Sequence, residues 1–218
     1  MSDAFVWWRR WTAITTAGEL AGFAVPATVG ALATAGGWPA PVAFSAVLAA
    51  GFMEGCALGY AQARGWRSRL PALPAGRYTV ATGIGAVFAY ALGLLPSTVG
   101  PPPAVLVVAG LALLGSIGTA QWLVLRRAGL DRPVWIVTTA GAWLAGLAVF
   151  MLTAMPLWQP GQAWWLITVI GVGCGLLMAF TVAALTGLAA LRLLRPHVNV
   201  AREGVNRHGH LVRTHPAE

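Results

Sequence analysis

The arginines of this chain constrain its fold more tightly than any other feature. All 14 basic residues are arginine, and every one lies outside the long apolar stretches. They fall in four groups, at positions 9–10, 64–77, 126–132 and 192–213, and the three segments near 36–41, 96–103 and 156–163 carry no charge. Because cytoplasmic loops retain Lys and Arg, this pattern predicts six transmembrane helices with both termini in the cytoplasm.

The composition favours an all-α integral membrane protein. Charged residues make up 9% of the chain, whereas a soluble domain carries roughly a quarter. The predicted spans, most near the ~20 residues that cross a bilayer, are Thr12 to Ala35, Val42 to Ala63, Tyr78 to Leu95, Ala104 to Leu125, Val134 to Met155 and Trp164 to Leu191. We expect one membrane domain over residues 1–195 and a basic, disordered cytoplasmic tail over 196–218. The lysine-free, Ala-, Gly- and Arg-rich composition indicates a bacterial inner membrane.

An internal repeat links the helices. In the even-numbered helices Gly, an Ala two residues later and an Arg eight residues later recur, starting at Gly59, Gly118 and Gly187. In the odd-numbered helices an aromatic residue is followed four residues on by Thr, starting at Trp11, Tyr78 and Trp135. These matches predict three helical hairpins, at about 12–63, 78–125 and 134–191, related by an axis along the membrane normal. The abundance of Gly, Ala and Thr leaves chance matching as the alternative.

Two of the repeated segments resemble a known kind of sequence. Residues 54–62 and 118–127 are similar to the glycine-rich helix ends, of the type G-x-A-Q-x-x-x-x-R, of uncharacterised bacterial multi-pass membrane proteins. The third copy departs from this pattern because Ala190 stands where the others have Gln. The resemblance implies a helical membrane fold and a location, and it transfers no catalytic residue.

Glu19 and Glu54 are the formally charged side chains inside the predicted spans. At ~1.5 Å per residue they lie about 12 and about 14 Å from the cytoplasmic ends, so adjacent antiparallel helices would hold them at one level. An ionised carboxylate there costs roughly 2.5 kcal/mol or more and by default marks a functional site. Thr15 and Thr16 share a helical stripe with Glu19. We predict that these four residues form a proton or cation site, in which two close acids would share at least one proton.

Other roles for the two acids stay open. Each Glu would also fit as a neutral acid that bonds a threonine or a carbonyl and locks the first helix against the second. Either acid would also fit at a subunit interface, paired with a group on a partner. Two classes of function follow: a small transporter or channel-like protein, and a non-catalytic accessory subunit that packs against another membrane protein or a second copy of the chain.

Polar residues near the cytoplasmic ends suggest secondary sites. Gln62 and Gln121 are expected either to line a cytoplasmic vestibule or to cap helix carbonyls. Arg67, Arg126 and Arg195 are expected at the anionic lipid headgroups, with an anion-binding mouth as the alternative.

Two further patterns predict packing. Small residues permit close helix contacts in membranes, which we expect for Gly51, Gly55 and Gly59 and for Gly171 with Gly175. Tryptophans near span ends are typical interfacial anchors, and this role is predicted for Trp7, Trp8, Trp11, Trp135, Trp158, Trp164 and Trp165.

Several activities lack the residues they need. A Schiff base to retinal needs a lysine, and axial haem ligation needs a histidine within a span, whereas all four histidines follow the last span. A phosphate-binding loop that ends in Lys-Ser/Thr is missing as well. We therefore expect no cofactor and no bound metal, and the basic charge requires no nucleic-acid partner. Catalysis by the glutamate pair alone remains an open alternative.

Overall fold

The computed structural model describes residues 3–96, 100–159 and 161–194, and this part of the chain is all-helical. Its helices are α1 (Asp3–Ala35), α2 (Ala40–Trp66), α3 (Ala75–Gly93), α4 (Pro103–Leu125), α5 (Val134–Leu157) and α6 (Trp164–Leu193). A short 3-10 helix, Arg126–Ala128, extends α4. Arg195 and the predicted tail at 196–218 lie outside the described residues.

Five of these six helices are long and apolar enough to cross a membrane: α1, α2, α4, α5 and α6. The remaining helix, α3, has 19 residues and is not among the five within the described part of the chain. Arg77 in its first turn, followed by Tyr78 and Thr79, lowers its hydropathy. The prediction of an all-helical, membrane-spanning chain is therefore confirmed at the level of five helices.

The helices form a closed ring. Each helix packs against the one that precedes it, and α1 packs against α6. Neighbours are antiparallel, as the α2–α3 pair illustrates: Gly59 faces Thr82 and Gly51 faces Tyr90. The starts of α1, α3 and α5 and the ends of α2, α4 and α6 consequently share one end, which we call the arginine end. The other is the uncharged end.

Buried aromatic residues fill the ring at the arginine end, and all six helices contribute to this core cluster: Trp7, Trp11, Ala63, Trp66, Leu73, Tyr78, Leu125, Leu130, Trp135, Ala189 and Ala190. The Trp66 ring lies edge-on to Trp11, with centroids 5.1 Å apart, and edge-on to Trp135 at 5.7 Å. The prediction of interfacial anchors is wrong for Trp7, Trp11 and Trp135, which pack inside the protein. Helix α1 begins at Asp3 rather than at Thr12 because these rings dock on α2 and α6, where Trp7 Nε1 donates to the Gly65 carbonyl at 3.2 Å.

Glycine permits the closest helix contacts, as predicted for α2. A Cβ at Gly55 would lie 2.8 Å from the Gly83 Cα, and one at Gly59 would lie 3.0 Å from the Thr79 Cα. The matching prediction for α6 is wrong, because a Cβ at Gly171 would meet only Trp158, at 3.8 Å, and one at Gly175 would meet only the ring of Phe23, at 3.4 and 3.5 Å. At Gly171 and Gly175, α6 therefore meets only side chains, whereas α2 and α3 touch through their backbones.

The α3–α4 contact offers a test of this packing. A Cβ at Gly85 would lie 2.8 Å from the Ile117 Cα, so neither backbone can yield without the helices separating. We expect Gly85→Ala to reduce the stability of the detergent-purified protein by about 1–3 kcal/mol, seen as a lower midpoint of thermal unfolding. Gly115→Ala on α4 is the matched control, since its added Cβ would meet no atom of another helix within 4 Å. Equal midpoints for the two variants would contradict the packing described.

Candidate functional site

Glu19 of α1 and Glu54 of α2 lie side by side inside the ring. The helices approach closely here, because a Cβ at Gly22 would lie 3.0 Å from both the Cα and the carbonyl oxygen of Glu54. This approach brings the two carboxyl groups into direct interaction. Their side chains are buried, with 1% of Glu19 and 6% of Glu54 exposed. Both acids therefore face the protein interior rather than lipid.

Tyr90 of α3 is a third member of the site. Its hydroxyl donates a hydrogen bond to Glu54 Oε2. The ring reaches this position because it lies flat against Gly51, where a Cβ would stand 2.8 Å from the Tyr90 Cε2. Sequence reasoning missed Tyr90, although one signal was present: Gly51 precedes Glu54 by one turn on the glycine face of α2, where a large residue of α3 can pack.

The hydrogen bonding of Glu19 differs from that of Glu54. Within the described residues, neither Glu19 oxygen receives a hydrogen bond from a protein N–H or O–H group. Two ionised carboxylates offer acceptors alone, so a bond between Glu19 and Glu54 requires that one of them carry a proton. A proton held between the two carboxyls, or a cation that contacts both, would therefore satisfy the Glu19 oxygens.

The two acids and Tyr90 lie on the wall of a cavity of about 360 Å³ to which all six helices contribute. The rest of the wall is almost entirely apolar: Phe23, Gly55, Leu58, Ala86, Ala89, Gly93, Leu94, Leu113, Ile117, Trp143, Leu147, Phe150 and Met178. On α2 the wall reaches no nearer the arginine end than Leu58, and on α3 it extends to Gly93 in the last turn, at the uncharged end. The cavity is therefore displaced towards the uncharged end, with the acids at its inner end.

Aromatic rings form one side of this cavity. Phe23 of α1 and Phe150 of α5 meet edge to face, with ring centroids 6.3 Å apart. Trp143, two turns before Phe150 on α5, also lies on the wall. Four aromatic side chains therefore share the cavity wall with the carboxyl pair: Phe23, Tyr90, Trp143 and Phe150.

A stripe of threonines on α1 connects the carboxyl pair to the arginine end. Thr12, Thr15 and Thr16 precede Glu19 on one helical face, and each is buried. Their hydroxyl oxygens have no hydrogen-bond partner within the described residues. Because a buried hydroxyl left unpaired costs about 1–3 kcal/mol, this stripe is a row of polar groups with unused hydrogen-bonding capacity. The stripe and the pair contain all four residues predicted for the proton or cation site.

Gln62 and Gln121 form a separate network between the core cluster and the cavity. Gln121 Nε2 donates to Gln62 Oε1 at 2.8 Å and to Thr82 Oγ1 at 3.2 Å. Trp135 Nε1 donates to Gln121 Oε1 at 3.0 Å, and the Tyr78 hydroxyl donates to Gln62 Oε1 at 3.1 Å. The exposed fractions are 1% for Gln62 and 0% for Gln121. The structure thus places both amides in a buried, side-chain-bonded layer, and neither lines the cavity.

The predicted headgroup arginines that the structure describes lie exposed at the arginine end. Arg67 follows the last residue of α2 and borders a cleft of about 210 Å³ with Arg64 and Tyr60. Arg126 follows α4, and its guanidinium lies 5.0 Å from the centre of the Trp122 ring. Contact with anionic lipids stays a prediction for both residues.

No protein-family model matches this chain, and no curated protein or solved structure matches it. Within the part of the chain that the structure describes, no three His, Cys, Asp or Glu side chains cluster as metal ligands would. The function therefore has to be inferred from the geometry of the carboxyl pair and its cavity.

The glutamine layer can be tested with a double-mutant cycle. We expect Gln62→Leu and Gln121→Leu each to lower the unfolding free energy in detergent by about 1–3 kcal/mol, because each leaves buried partners unpaired. The double variant should lose less than the sum of the two, with a coupling of about 0.6 kcal/mol and at most about 1.7, as found for hydrogen bonds between membrane helices. Strict additivity would show that the two amides do not interact.

Proposed function

We propose that this protein is a small transporter or channel-like protein of the bacterial inner membrane, with the Glu19–Glu54 pair as its proton- or cation-responsive site. One observation carries the proposal: two buried carboxyls meet on the wall of a cavity to which all six helices contribute. Acids in the membrane interior are costly and are retained at ion and proton pathways.

A purely structural role accounts for one acid better than for the other. The Tyr90 hydroxyl supplies Glu54 with a donor, which is sufficient for a lock between α2 and α3. Glu19 receives no donor from the described residues other than a proton shared with Glu54. A buried acid that is left to bind a proton or cation supports a transport role over a structural lock.

The arrangement around the pair, with polar groups on one side and a cavity on the other, also supports transport. The Thr12, Thr15 and Thr16 hydroxyls approach Glu19 from the arginine end, and the cavity approaches it from the uncharged end. The core cluster and the glutamine layer lie on the arginine side of the acids. Protons would follow the threonine stripe, whereas a larger species would leave on that side only when the rings of the core cluster move apart.

The accessory-subunit alternative receives less support. Acids that served a partner protein would face the outside of the ring, and both Glu19 and Glu54 face its interior. A second copy of the chain or another membrane protein would meet apolar side chains at the lipid-facing surface, without reaching either acid.

We further propose that α3 crosses the membrane, so that the chain has six spans with both termini in the cytoplasm. Helix α3 lies antiparallel to α2 over its length, from the Gly59–Thr82 contact to the Gly51–Tyr90 contact. Its 19 residues give a length of about 28 Å at ~1.5 Å per residue, close to the ~30 Å hydrocarbon layer. The arginine end would then be the cytoplasmic one.

The three-hairpin repeat remains part of the proposal, and recurring contacts support it. Gly59 faces Thr82 where the first hairpin meets the second, and Gly118 faces Thr139 where the second meets the third. Inside the hairpins, Gly22 faces Glu54 and Gly146 faces Val182, at matched positions of the repeat. The contact between the third hairpin and the first, where α6 meets α1, differs by one turn. Here Gly187 faces Trp11 rather than Thr15, the threonine at the matched position.

Cysteine labelling tests the six-span topology. In a variant that lacks Cys56 and Cys174, we introduce Ser68→Cys at the arginine end and, separately, Pro102→Cys at the uncharged end. A membrane-impermeant maleimide added to intact cells should label the second variant and leave the first unlabelled until the cells are opened. Labelling of both or of neither in intact cells would contradict a membrane-spanning α3.

Ion flux through proteoliposomes tests the proposed site. We expect wild-type protein to pass protons or monovalent cations in a pH-dependent manner, measured with a trapped pH dye under a clamped membrane potential. Glu19→Gln and Glu54→Gln remove the groups that exchange the proton, so each should reduce this flux at least about tenfold.

Thr181→Val is the control, because its hydroxyl bonds the Leu177 carbonyl of its own helix at 2.8 Å and lies away from the cavity. All variants are first matched for size-exclusion profile and thermal midpoint. If wild type and both Gln variants do not differ for any ion at any pH, the transport function is excluded.

A further inference from the structure

The wall of the cavity is poorly suited to a bare inorganic cation. Hard cations are bound by six or more oxygen ligands, but oxygen-bearing side chains on this wall come from Glu19, Glu54 and Tyr90 alone. These three are also its ionisable groups: α4, α5 and α6 contribute Leu, Ile, Trp, Phe and Met side chains. A small ion would have to bring its own water into an apolar space.

The same wall is well suited to a cation that carries an apolar body. The volume of about 360 Å³ falls within the range of small-molecule pockets, which are mostly apolar with a few convergent polar groups. Phe23, Trp143 and Phe150 line the space beside the acids. Aromatic faces attract alkylammonium groups, most strongly where water is excluded.

We propose that the cavity binds a hydrophobic organic monocation, with its charge at the Glu19–Glu54 pair and its apolar part against the aromatic wall. This inference rests on the proposed transport function and names the class of substrate for the same site. A cation in so apolar a space needs an equal counter-charge. Without the cation, the same cost of buried charge keeps both carboxyls protonated, so one carboxyl gives up its proton to solvent as the cation binds, and the cavity stays electrically neutral.

Benzyltrimethylammonium is a suitable probe, because it combines one aromatic ring with a quaternary ammonium that cannot itself lose a proton. Calorimetric titration of the detergent-purified protein should show binding at least about tenfold tighter than that of tetramethylammonium, which lacks the ring. Repeating the titration in buffers of different ionisation enthalpy should reveal release of about one proton per cation bound.

Two variants separate the charge from the apolar pocket. Glu54→Gln should weaken binding of the probe at least about tenfold, because the paired carboxyl is lost. Ala89→Phe places a ring in the space next to Tyr90 and should exclude the probe while leaving both acids in place. Thr181→Val, the control used above, should bind like wild type.

Several results would overturn the inference. These are equal affinity for tetramethylammonium and the probe, unchanged binding in both cavity variants, or displacement of the probe by neopentylbenzene, its uncharged carbon isostere. The last result would identify a site for neutral apolar chains such as those of lipids.

Glu54-dependent ion flux without probe binding would refute the substrate class and leave the transport function standing. Probe binding without Glu54-dependent flux of any ion, the probe included, would support the site and refute transport.

Discussion

The close antiparallel approach of the first three helices is the contact on which the site depends. A backbone-to-backbone distance this short is possible because glycine occupies the facing positions, Gly22 on α1 and Gly55 on α2, while Gly51 leaves room for the Tyr90 ring. Association of helices in lipid lacks the hydrophobic driving force available in water, so packing of this kind has to supply it. The same contacts bring Glu19 and Tyr90 to Glu54 from opposite sides. Stability and site formation are therefore inseparable in this part of the ring.

Polar groups inside the ring are separated into two layers with different properties. In the glutamine layer, both side-chain oxygens and the Gln121 amide nitrogen are hydrogen-bonded, since Gln62 and Gln121 bond each other and their aromatic neighbours. A buried network that is paired to this extent is rigid. The layer that holds Glu19 is incompletely paired and adjoins a cavity. The first layer is suited to hold the ring closed, and the second is suited to exchange a proton or a ligand.

The sequence was sufficient to predict the features that depend on pattern along one helix. Charge and hydropathy located the helices, and counting residues from the helix ends put Glu19 and Glu54 at one depth. It failed where the outcome depends on how helices rotate against each other. Tyr90 was missed because its contact with Glu54 depends on the side on which α3 meets the glycine face of α2. Trp11 and Trp135 were assigned to lipid because position near a span end does not tell inward from outward. The cavity could not be predicted from any single helix, because its wall combines residues of all six.

The proposed repeat explains how one site could arise in a pseudo-symmetric ring. At the position of Glu54 the second hairpin has Leu113 and the third has Val182. Leu113 lines the cavity opposite the acids, and Val182 fills the contact with Gly146. A second or third acid at these positions would add buried charge without a nearby partner, at a cost of roughly 2.5 kcal/mol or more each. Because the second and third hairpins carry apolar residues instead, they present an apolar wall against which an apolar ligand can pack. The asymmetry between hairpins is thus what gives the cavity a charged end and an apolar body.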